Sequence, residues 1–310
     1  MKVAILMSTY NGEAFLGQQI DSIISQSFKD WKLYIRDDGS TDATIKIIKE
    51  YCIKDNRINF IHDNFKRLGP KRSFFALLKQ VDADYYFFSD QDDVWKKEKI
   101  SILLDNFSHT KNCPQVIYSG LQCTDQNLNP IEMSANYTVG RIKGNNRFIC
   151  NDASGCTMAF NHKTKEYFLK GDFCNPDIIM HDWWIVLIAE AFGKVIFVDK
   201  QLIYYRQHQN NTVGAGTRGN IVKKILQSDL IRKQSQVVKE TLKQSLVFKR
   251  SYGDLLDTTL ERFLIDLIAC QYNNFIFRMK FLNKNNIRSI SWGHTMSYRF
   301  FLLFLASKFR

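Results

Sequence analysis

The sequence predicts an α/β protein with a mostly parallel central sheet and a helical C-terminal region. Short apolar runs alternate with amphipathic stretches of helical period up to about residue 110, which is the pattern of βαβ units. Polar clusters follow three of these apolar runs, at the positions where parallel sheets bind ligands. The last third of the chain is strongly basic and shows no strand pattern, which indicates an appended segment of a different kind.

The predicted elements of the first 110 residues are four strands and three helices. The strands are "KVAILM", "WKLYIR", "INFIH" and "DYYFFS", and the helices between them are "AFLGQQIDSIISQ", "DATIKIIKEYC" and "SFFALLKQV". From residue 115 to 205 we expect the strands "QVIYSG", "CTMAFN", "KVIFVD" and "LIYYRQ", and a buried helix, "HDWWIVLIAEAFG", that ends at Gly193. The Gly-rich "NNTVGAGTRGN" predicts a hinge. We therefore expect one domain over 1–217 and a second over 218–310.

Composition places the chain among folded proteins and excludes several classes. Of its 310 residues, 45% are hydrophobic and 24% are charged, which is ordinary for a globular chain. The first residues have neither the apolar length nor the cleavage site of a signal peptide, and no run of 18 apolar residues predicts a spanning helix. Seven cysteines without a CxxC pair argue against a disulfide framework or a zinc site. These features predict a cytoplasmic protein.

The segment "FFSDQDDVW" places three acids directly behind a buried aromatic strand. Asp90, Asp92 and Asp93 would repel one another and lose hydration there unless a cation balances them. One acid could cap the following helix, and the lysines of residues 96–99 could neutralise part of the charge. Oxygen ligation of a hard divalent cation, Mg²⁺ or Mn²⁺, explains the cluster better, and substrate phosphates normally complete such a site. We therefore predict a metal site with a diphosphate partner.

The segment "RDDGSTD", residues 36–42, follows the second predicted strand and has two interpretations. Asp-Gly is a turn signal, and Ser40 or Thr41 can cap the next helix. Alternatively, Asp37 and Asp38 accept hydrogen bonds from a ligand at the tip of the strand. The residues alone leave both interpretations open.

Two later segments also offer chemistry. In "MHDWW", His181 or Asp182 can be the N-cap of an apolar helix. Alternatively, Asp182 is a carboxylate in a partly apolar wall that takes a proton from a sugar hydroxyl. In "YRQHQNN", Arg206 or His208 can neutralise phosphate or ligate a metal, although a lone histidine more often caps or packs. The sequence has no Gly-rich dinucleotide or P-loop fingerprint and no GxSxG elbow, so those chemistries have no support.

The order and spacing of "STYNG", "RDDGSTD", "SDQDDVW" and "HDWW" resemble glycosyltransferase family 2 over residues 1–215. The segments "SGCTMAFN", "IMHDWW" and "YRQHQNN" resemble its bacterial rhamnosyltransferase branch. The resemblance implies the GT-A fold, which is a Rossmann-like fold of nucleotide-diphospho-sugar transferases, and an inverting reaction that depends on Mg²⁺ or Mn²⁺. It implies Asp182 as the catalytic base and a metal site made of Asp92, Asp90 and His208. The nucleotide-sugar ligands that it implies are Thr9, Tyr10, Asn11, Asp37, Asp38, Asp90, Gly155 and His181.

The function that the resemblance implies is transfer of L-rhamnose from dTDP-rhamnose to a saccharide or lipid-linked acceptor in cell-surface polysaccharide synthesis. The alternatives are a glucosyl- or galactosyltransferase that uses a UDP-sugar, and a non-catalytic nucleotide-sugar-binding protein. The sequence departs from many relatives after the third strand, where "GPKRSFF" replaces their Arg-Asn. The usual arginine contact to the diphosphate is therefore not assigned to Lys71 or Arg72. Asp93 matches an additional acid of the rhamnosyltransferase branch, and no role is assigned to it.

The C-terminal region carries nearly all of the net positive charge. Residues 216–310 hold 17 Lys and Arg against 6 Asp and Glu, whereas residues 1–215 hold 26 against 25. Because the tail is also rich in Phe and Leu, we expect peripheral contact with the anionic inner face of the cell membrane, and no nucleic acid partner. The run "FFLLFLASKF" is too short to span a bilayer. The alternative is that this segment packs on the catalytic domain or forms a homo-oligomer contact.

Overall fold

The computed structural model describes residues 1–108, 112–131, 140–207 and 228–306. The chain divides into two compact units. The first comprises Met1–Glu132, Ala153–Leu169 and Met180–Gly214, and the second comprises Met133–Asp152, Lys170–Ile179 and Ala215–Arg310. The predicted boundary near residue 217 lies outside the described residues. Two internal stretches of the predicted first domain, 133–152 and 170–179, belong to the second unit.

The first unit contains an eight-stranded sheet in the order β3-β2-β1-β4-β7-β6-β8-β5. The strands are β1 (Val3–Thr9), β2 (Trp31–Asp37), β3 (Ile58–Ile61), β4 (Tyr85–Ser89), β5 (Val94–Trp95), β6 (Gln115–Thr124), β7 (Met158–Asn161) and β8 (Lys194–Arg206). The pairs β1–β2, β1–β4, β2–β3 and β6–β8 are parallel. β7 runs antiparallel to β4 and β6, and β5 runs antiparallel to β8. The predicted mostly parallel sheet is confirmed.

Six helices accompany this sheet within the described residues. They are α1 (Leu16–Ile24), α2 (Thr44–Lys54), α3 (Gly69–Gln80), α4 (Lys99–Asp105), α5 (His162–Lys170) and α6 (His181–Phe192). Gly193 follows α6 as predicted, and the reason is close packing, because a Cβ there would collide with the carbonyl oxygen of Pro114. The two strands predicted after α6 form the single strand β8. Its pairing with β6 shifts register after Val198, so that exposed Asp199 and Lys200 interrupt the pattern without ending the strand.

The second unit is helical among its described residues. Its helices are α7 (Ser228–Tyr252), α8 (Thr258–Ala269), α9 (Phe275–Lys284) and α10 (Trp292–Leu305). The side chains of Asp257, Asn274 and Ser291 accept backbone N–H groups at the starts of the last three helices, which satisfies donors that a helix leaves open. The predicted C-terminal helical region is confirmed. In the part of the chain that the structure describes, no helix has the length and apolar character to cross a bilayer.

Strand register brings the predicted polar clusters to one edge of the sheet. Thr9 at the end of β1 pairs with Asp37 at the end of β2, and Met7 of β1 pairs with Ser89 at the end of β4. Tyr86, Phe87 and Phe88 of β4 are fully buried, and their burial anchors the strand in the core. The acidic segment therefore begins where the core ends.

Candidate active site

The acids after β4 form a crowded and poorly hydrated cluster. Asp90 and Asp92 are half-buried, and Asp93 is fully buried. One oxygen of Asp90, one oxygen of Asp93 and the sulfur of Cys156 lie within 4.8 Å of one another. Burial raises the pKa of both Asp90 and Asp93, and the charge of Asp92 raises the pKa values further. The cluster therefore favours a bound proton or a bound cation.

A buried lysine next to the cluster supplies part of the positive charge that balances the acids. Lys99, the first residue of α4, is fully buried, and its Nζ donates to the carbonyl oxygen of Cys156 at 2.6 Å. The same Nζ lies 3.3 Å from the centroid of the Trp95 ring. Burial lowers the pKa of Lys99 to about 7, although Asp93 and Asp90 act in the opposite direction. At neutral pH this lysine therefore compensates the acids incompletely.

Arg206, the last residue of β8, is hydrogen-bonded to the acidic segment. Its backbone N–H donates to Asp93 Oδ1 at 3.2 Å, and its Nε donates to the carbonyl oxygen of Asp92 at 2.8 Å. The guanidinium also donates to Gln18 Oε1 at 2.7 Å. Arg206 is buried, and its guanidinium carbon also lies 4.5 Å from the centroid of the Phe15 ring. His208, predicted as a metal ligand, lies outside the described residues.

The donor set of the acidic cluster fits a hard divalent cation. Asp93 Oδ2 is buried and has no hydrogen-bond partner among the described residues. Burial raises the pKa of the Cys156 thiol well above its ordinary value, and the nearby carboxylates of Asp93 and Asp90 add to this rise. Without a metal the thiol is therefore protonated, and the carboxylate oxygens are the hard ligands of the cluster. Such oxygens are the ligands that Mg²⁺ and Mn²⁺ prefer.

The loop after β1 is cross-linked to the loop after β2. Thr9 Oγ1 donates to Asp37 Oδ1 at 3.0 Å, and the backbone N–H of Asn11 donates to Ser40 Oγ at 2.8 Å. Asn11 Oδ1 accepts the backbone N–H of Thr41 at 2.9 Å. Asn11 has φ +47°, a left-handed conformation that asparagine tolerates better than most residues. These bonds join the two predicted nucleotide-binding loops into one rigid edge.

Asp37 and Asp38 form many hydrogen bonds within the protein. Asp37 Oδ2 accepts the backbone N–H groups of Gly39 and Ser40 at 2.9 and 2.8 Å. Asp38 is buried and accepts the backbone N–H groups of Leu68 and Gly69 at 2.9 and 2.8 Å. These contacts match the turn interpretation of "RDDGSTD". Ligand binding by either carboxylate stays a prediction.

A buried arginine that the sequence analysis did not single out holds Asp38 in place. Arg36 NH1 donates to Asp38 Oδ1 and to Ser73 Oγ at 2.8 and 2.7 Å, and its Nε donates to Asp63 Oδ2 at 2.7 Å. Arg36 itself is fully buried. An arginine within the apolar strand "WKLYIR" was the available signal, because a buried guanidinium requires carboxylate partners.

Gln91, between Asp90 and Asp92, connects the acidic segment to the loop after β1. Its Oε1 accepts the backbone N–H of Tyr10 at 2.9 Å, and its Nε2 donates to the carbonyl oxygen of Tyr10 at 3.0 Å. A Cβ on Gly12 would collide with the Gln91 amide, so this contact requires a glycine. The Tyr10 ring stays exposed at this edge. Nothing in the sequence indicated this contact, since it joins residues 81 positions apart.

Asp182 lies in the first turn of α6, where it is half-buried. Its Oδ2 accepts the backbone N–H of Gly155 at 2.9 Å, and its Oδ1 accepts the backbone N–H of Trp183 at 2.6 Å. Burial raises the pKa of Asp182 to about 6. Asp182 is also close enough to Asp90 to raise the pKa of that acid. The structure thus brings the predicted base close to Asp90, one of the predicted metal ligands.

The neutral imidazole ring of His181 lines the same site. Its ring stacks on Phe74 with centroids 4.1 Å apart and meets the edge of Phe88 at 4.9 Å. Burial lowers the pKa of His181 to about 3, and neither ring nitrogen has a hydrogen-bond partner in the described ranges. A Cβ on Gly155 would come within 2.9 Å of His181 Nε2. Gly155 is therefore required for the close approach of its backbone N–H to Asp182.

Comparisons with known proteins decide the family. Residues 4–168 match the family model described as Glycosyl transferase family 2. The chain belongs to glycosyltransferase family 2. It is 32% identical over 222 residues to a dTDP-rhamnosyl transferase, RfbG, of Shigella flexneri, covering 67% of this chain and 74% of the relative. It is 35% identical over 130 residues to a putative glycosyltransferase, EpsE, of Bacillus subtilis, covering 40% of this chain and 45% of the relative.

Solved structures confirm the GT-A fold of this family 2 glycosyltransferase. S. aureus TarS 1–349 in complex with UDP-GlcNAc aligns with 97% of the chain at a TM-score of 0.55 and 15% identity, over 90% of its own length. The mannosyltransferase PcManGT of Pyrobaculum calidifontis, in complex with GDP-Man and Mn²⁺, aligns with 99% of the chain at a TM-score of 0.52 and 12% identity, over 85% of its own length. At these identities the likeness concerns the fold.

Proposed function

We propose that this glycosyltransferase moves L-rhamnose from dTDP-rhamnose to a saccharide or lipid-linked acceptor, in an inverting and metal-dependent reaction of bacterial cell-surface polysaccharide synthesis. The observation that carries the proposal is the under-compensated acidic cluster after β4 with Asp182 beside it. The choice of donor is supported by the Shigella relative, whose name specifies dTDP-rhamnose as the source of its rhamnosyl group.

Asp182 is the general base of the proposed reaction. Its carboxylate takes the proton of an acceptor hydroxyl, and the hydroxyl oxygen forms a bond to the anomeric carbon of the donor. The bond from that carbon to the diphosphate oxygen breaks, and its electron pair leaves with the nucleoside diphosphate. Attack and departure on opposite faces invert the anomeric centre. The raised pKa of Asp182, about 6, gives a carboxylate that is ionised at neutral pH and more basic than an ordinary aspartate.

Asp90 and Asp92 would hold the divalent cation. When bound, Mg²⁺ or Mn²⁺ supplies positive charge that stabilises the leaving diphosphate. Within the described residues, Lys99 compensates the acids only in part, because burial lowers its pKa to about 7, and Arg206 adds positive charge near Asp92 and Asp93. His208 is proposed as a further ligand on its position in "YRQHQNN".

The cross-linked loops after β1 and β2 would bind the nucleotide. Tyr10 presents an exposed ring on which a base can stack. Thr9, Asn11, Asp37 and Asp38 set the shape of this edge through the hydrogen bonds described above. Gly155 and His181 would form the neighbouring wall that faces the sugar. This division of roles rests on the position of each residue along the sheet edge.

A donor screen tests this proposal. The purified chain would be incubated with dTDP-rhamnose, UDP-glucose or UDP-galactose, with Mn²⁺, with Mg²⁺ or with excess chelator. We expect metal-dependent release of nucleoside diphosphate and thermal stabilisation that are largest with dTDP-rhamnose. A larger response to a UDP-sugar would replace rhamnose by glucose or galactose. Binding without turnover of any donor would favour the non-catalytic nucleotide-sugar-binding protein.

A further inference from the structure

Helices α9 and α10 of the second unit, together with Tyr272 before α9, expose an apolar surface called the aromatic patch, which consists of Tyr272, Phe275, Ile276, Phe300 and Phe304. Each of these side chains is exposed, with Ile276 at 63% and Phe304 at 53% of full exposure. The Phe275 and Phe304 rings lie 5.5 Å apart, and the Phe300 and Phe304 rings lie 4.9 Å apart. Phe275, Phe300 and Phe304 therefore form one contiguous exposed apolar surface, and such a surface indicates an interaction site.

The two helices do not need the patch in order to fold. Their other faces bury Phe281, Leu282 and Leu302. Buried Arg278 of α9 donates to the carbonyl oxygen of Leu303 of α10 at 2.7 Å. Helix α10 is also joined to α7, since Tyr298 Oη and Thr241 Oγ1 are hydrogen-bonded at 2.9 Å. The exposed aromatics are thus additional to a packed core.

Trp292 and Met296 extend the apolar surface toward the start of α10. They precede Phe300 by eight and four residues, and both are exposed, Trp292 at 78%. Positions four apart lie on the same side of a helix. An exposed tryptophan at the end of an apolar stripe is typical of a helix that lies in a membrane interface, where the indole occupies headgroup depth.

The residues around the patch carry mostly positive charge, and a nearby acid is Asp266, whose Oδ2 lies 4.0 Å from Lys284 Nζ. Residues 267–310 contain seven Lys and Arg and no Asp or Glu. Lys280 and Lys284 follow Ile276 at four-residue spacing on α9, and both are exposed, as is Arg288. A second copy of this chain docked on the same patch would bring these cations against each other, which disfavours a symmetric dimer. A partner surface with an apolar interior and anionic groups at its boundary would complement both the exposed apolar side chains and the cations around them.

We propose that the aromatic patch docks on an anionic lipid bilayer. The aromatic side chains enter the boundary between headgroups and acyl chains, and the flanking cations contact anionic headgroups. The proposal is independent of the sugar that the enzyme transfers. It assigns to the second unit a function that the catalytic residues of the first unit do not have.

Co-sedimentation of the full chain with vesicles tests this assignment. We expect binding to vesicles of phosphatidylglycerol and phosphatidylcholine that weakens as salt is raised, and much weaker binding to phosphatidylcholine alone. Lys280→Glu with Lys284→Glu should weaken binding at least about tenfold, since each cation near an anionic leaflet contributes about fivefold. Phe300→Ser with Phe304→Ser should weaken it at least about tenfold through loss of buried apolar area.

Two matched pairs control for net charge and for loss of exposed apolar side chains. Lys46→Glu with Lys49→Glu makes the same charge change on exposed positions of α2, and Ile53→Ser with Leu255→Ser removes exposed apolar side chains elsewhere. Both pairs should leave vesicle binding unchanged. Equal losses in the control and patch variants would overturn the proposal, and so would equal binding to both vesicle types. Self-association that Phe300→Ser with Phe304→Ser abolishes, without vesicle binding, would assign the patch to a second copy.

Discussion

The acidic segment after β2 and the acidic segment after β4 end at the same edge of the sheet, yet their carboxylates are in opposite situations. Asp37 and Asp38 are surrounded by donors, including four backbone N–H groups at 2.8 to 2.9 Å and the buried guanidinium of Arg36. Asp93 has a buried oxygen without a hydrogen bond in the described chain, and burial raises its pKa and that of Asp90. The carboxylates of the first segment are satisfied by the protein and serve to hold the loop in shape. The carboxylates of the second segment keep negative charge that a cation can balance.

The largest expected effect belongs to the base beside the second segment. Asp182→Asn should lower the transfer rate by about 10²–10⁴-fold, the usual contribution of a positioned general base, with little change in donor affinity. In the wild type, the rate should rise with pH through about 6, because the pKa of Asp182 is about 6 and the carboxylate must lose its proton to act. Stopped-time assays across pH measure both effects. A collapse of donor affinity instead would make Asp182 a binding residue.

Asp92→Asn tests whether the second segment holds the metal. A neutral amide is a poorer ligand for Mg²⁺ or Mn²⁺ than a carboxylate, so we expect at least about a tenfold loss of turnover, reduced further by lowering the metal concentration. The melting temperature should change little, because Asp92 is half-buried at the protein surface. Full turnover by this variant would contradict the metal assignment.

Substitutions in the two segments should change the free energy of unfolding in opposite directions. Asp38→Asn should destabilise the protein by about 1–3 kcal/mol, because the amide NH₂ would face donors that the carboxylate satisfied. Asp93→Asn should stabilise the metal-free protein by about 1 kcal/mol at neutral pH, because the wild-type carboxyl must either stay ionised while buried or take up a proton on folding. Burial raises the folded-state pKa of Asp93 above its unfolded value, so its contribution to stability is present at acid pH and lost as pH rises.

The pH dependence of these variants is the control for that prediction. The stabilisation by Asp93→Asn should therefore fade as pH is lowered below the unfolded-state pKa of aspartate, where the wild-type side chain is also neutral. Thermal unfolding in the presence of chelator measures the difference. A destabilising Asp93→Asn at neutral pH would show that the second segment is a scaffold like the first.

The smallest expected effect concerns Gln91, which joins the second segment to the loop after β1. Gln91→Leu removes both hydrogen bonds to the Tyr10 backbone. We expect KM for the donor to rise roughly threefold to tenfold, with stability lowered by less than about 1 kcal/mol because water replaces the lost bonds. The kcat should change less than KM, since the base and the acids remain. Steady-state kinetics measures these changes, with Gln91→Asn as the conservative variant. An unchanged KM in Gln91→Leu would show that Gln91 does not position the loop after β1 for donor binding.

Periodicity and punctuation in the sequence were sufficient to predict the strand–helix alternation, the mostly parallel sheet and the helical end of the chain. The acids after β4 could be recognised because like charges directly behind a buried aromatic strand repel one another and lose hydration unless a cation is bound. The contacts of Gln91 with Tyr10 and of Asp182 with Gly155 could not be predicted, since each joins a side chain to the backbone of a residue far away in sequence, 81 and 27 positions respectively. Likewise, the polar pair Asp199 and Lys200 looked like a strand end, although β8 continues through it.

The most direct measurement is a calorimetric titration of the wild-type chain with dTDP, in Mn²⁺ and in excess chelator. If the acids after β4 have charge left for a cation that bridges to a diphosphate, Mn²⁺ should tighten dTDP binding by at least about tenfold. Asp92→Asn should lose this gain, while wild-type and variant affinities in chelator should agree. Equal dTDP affinity with and without Mn²⁺ would contradict the contrast between the two acidic segments.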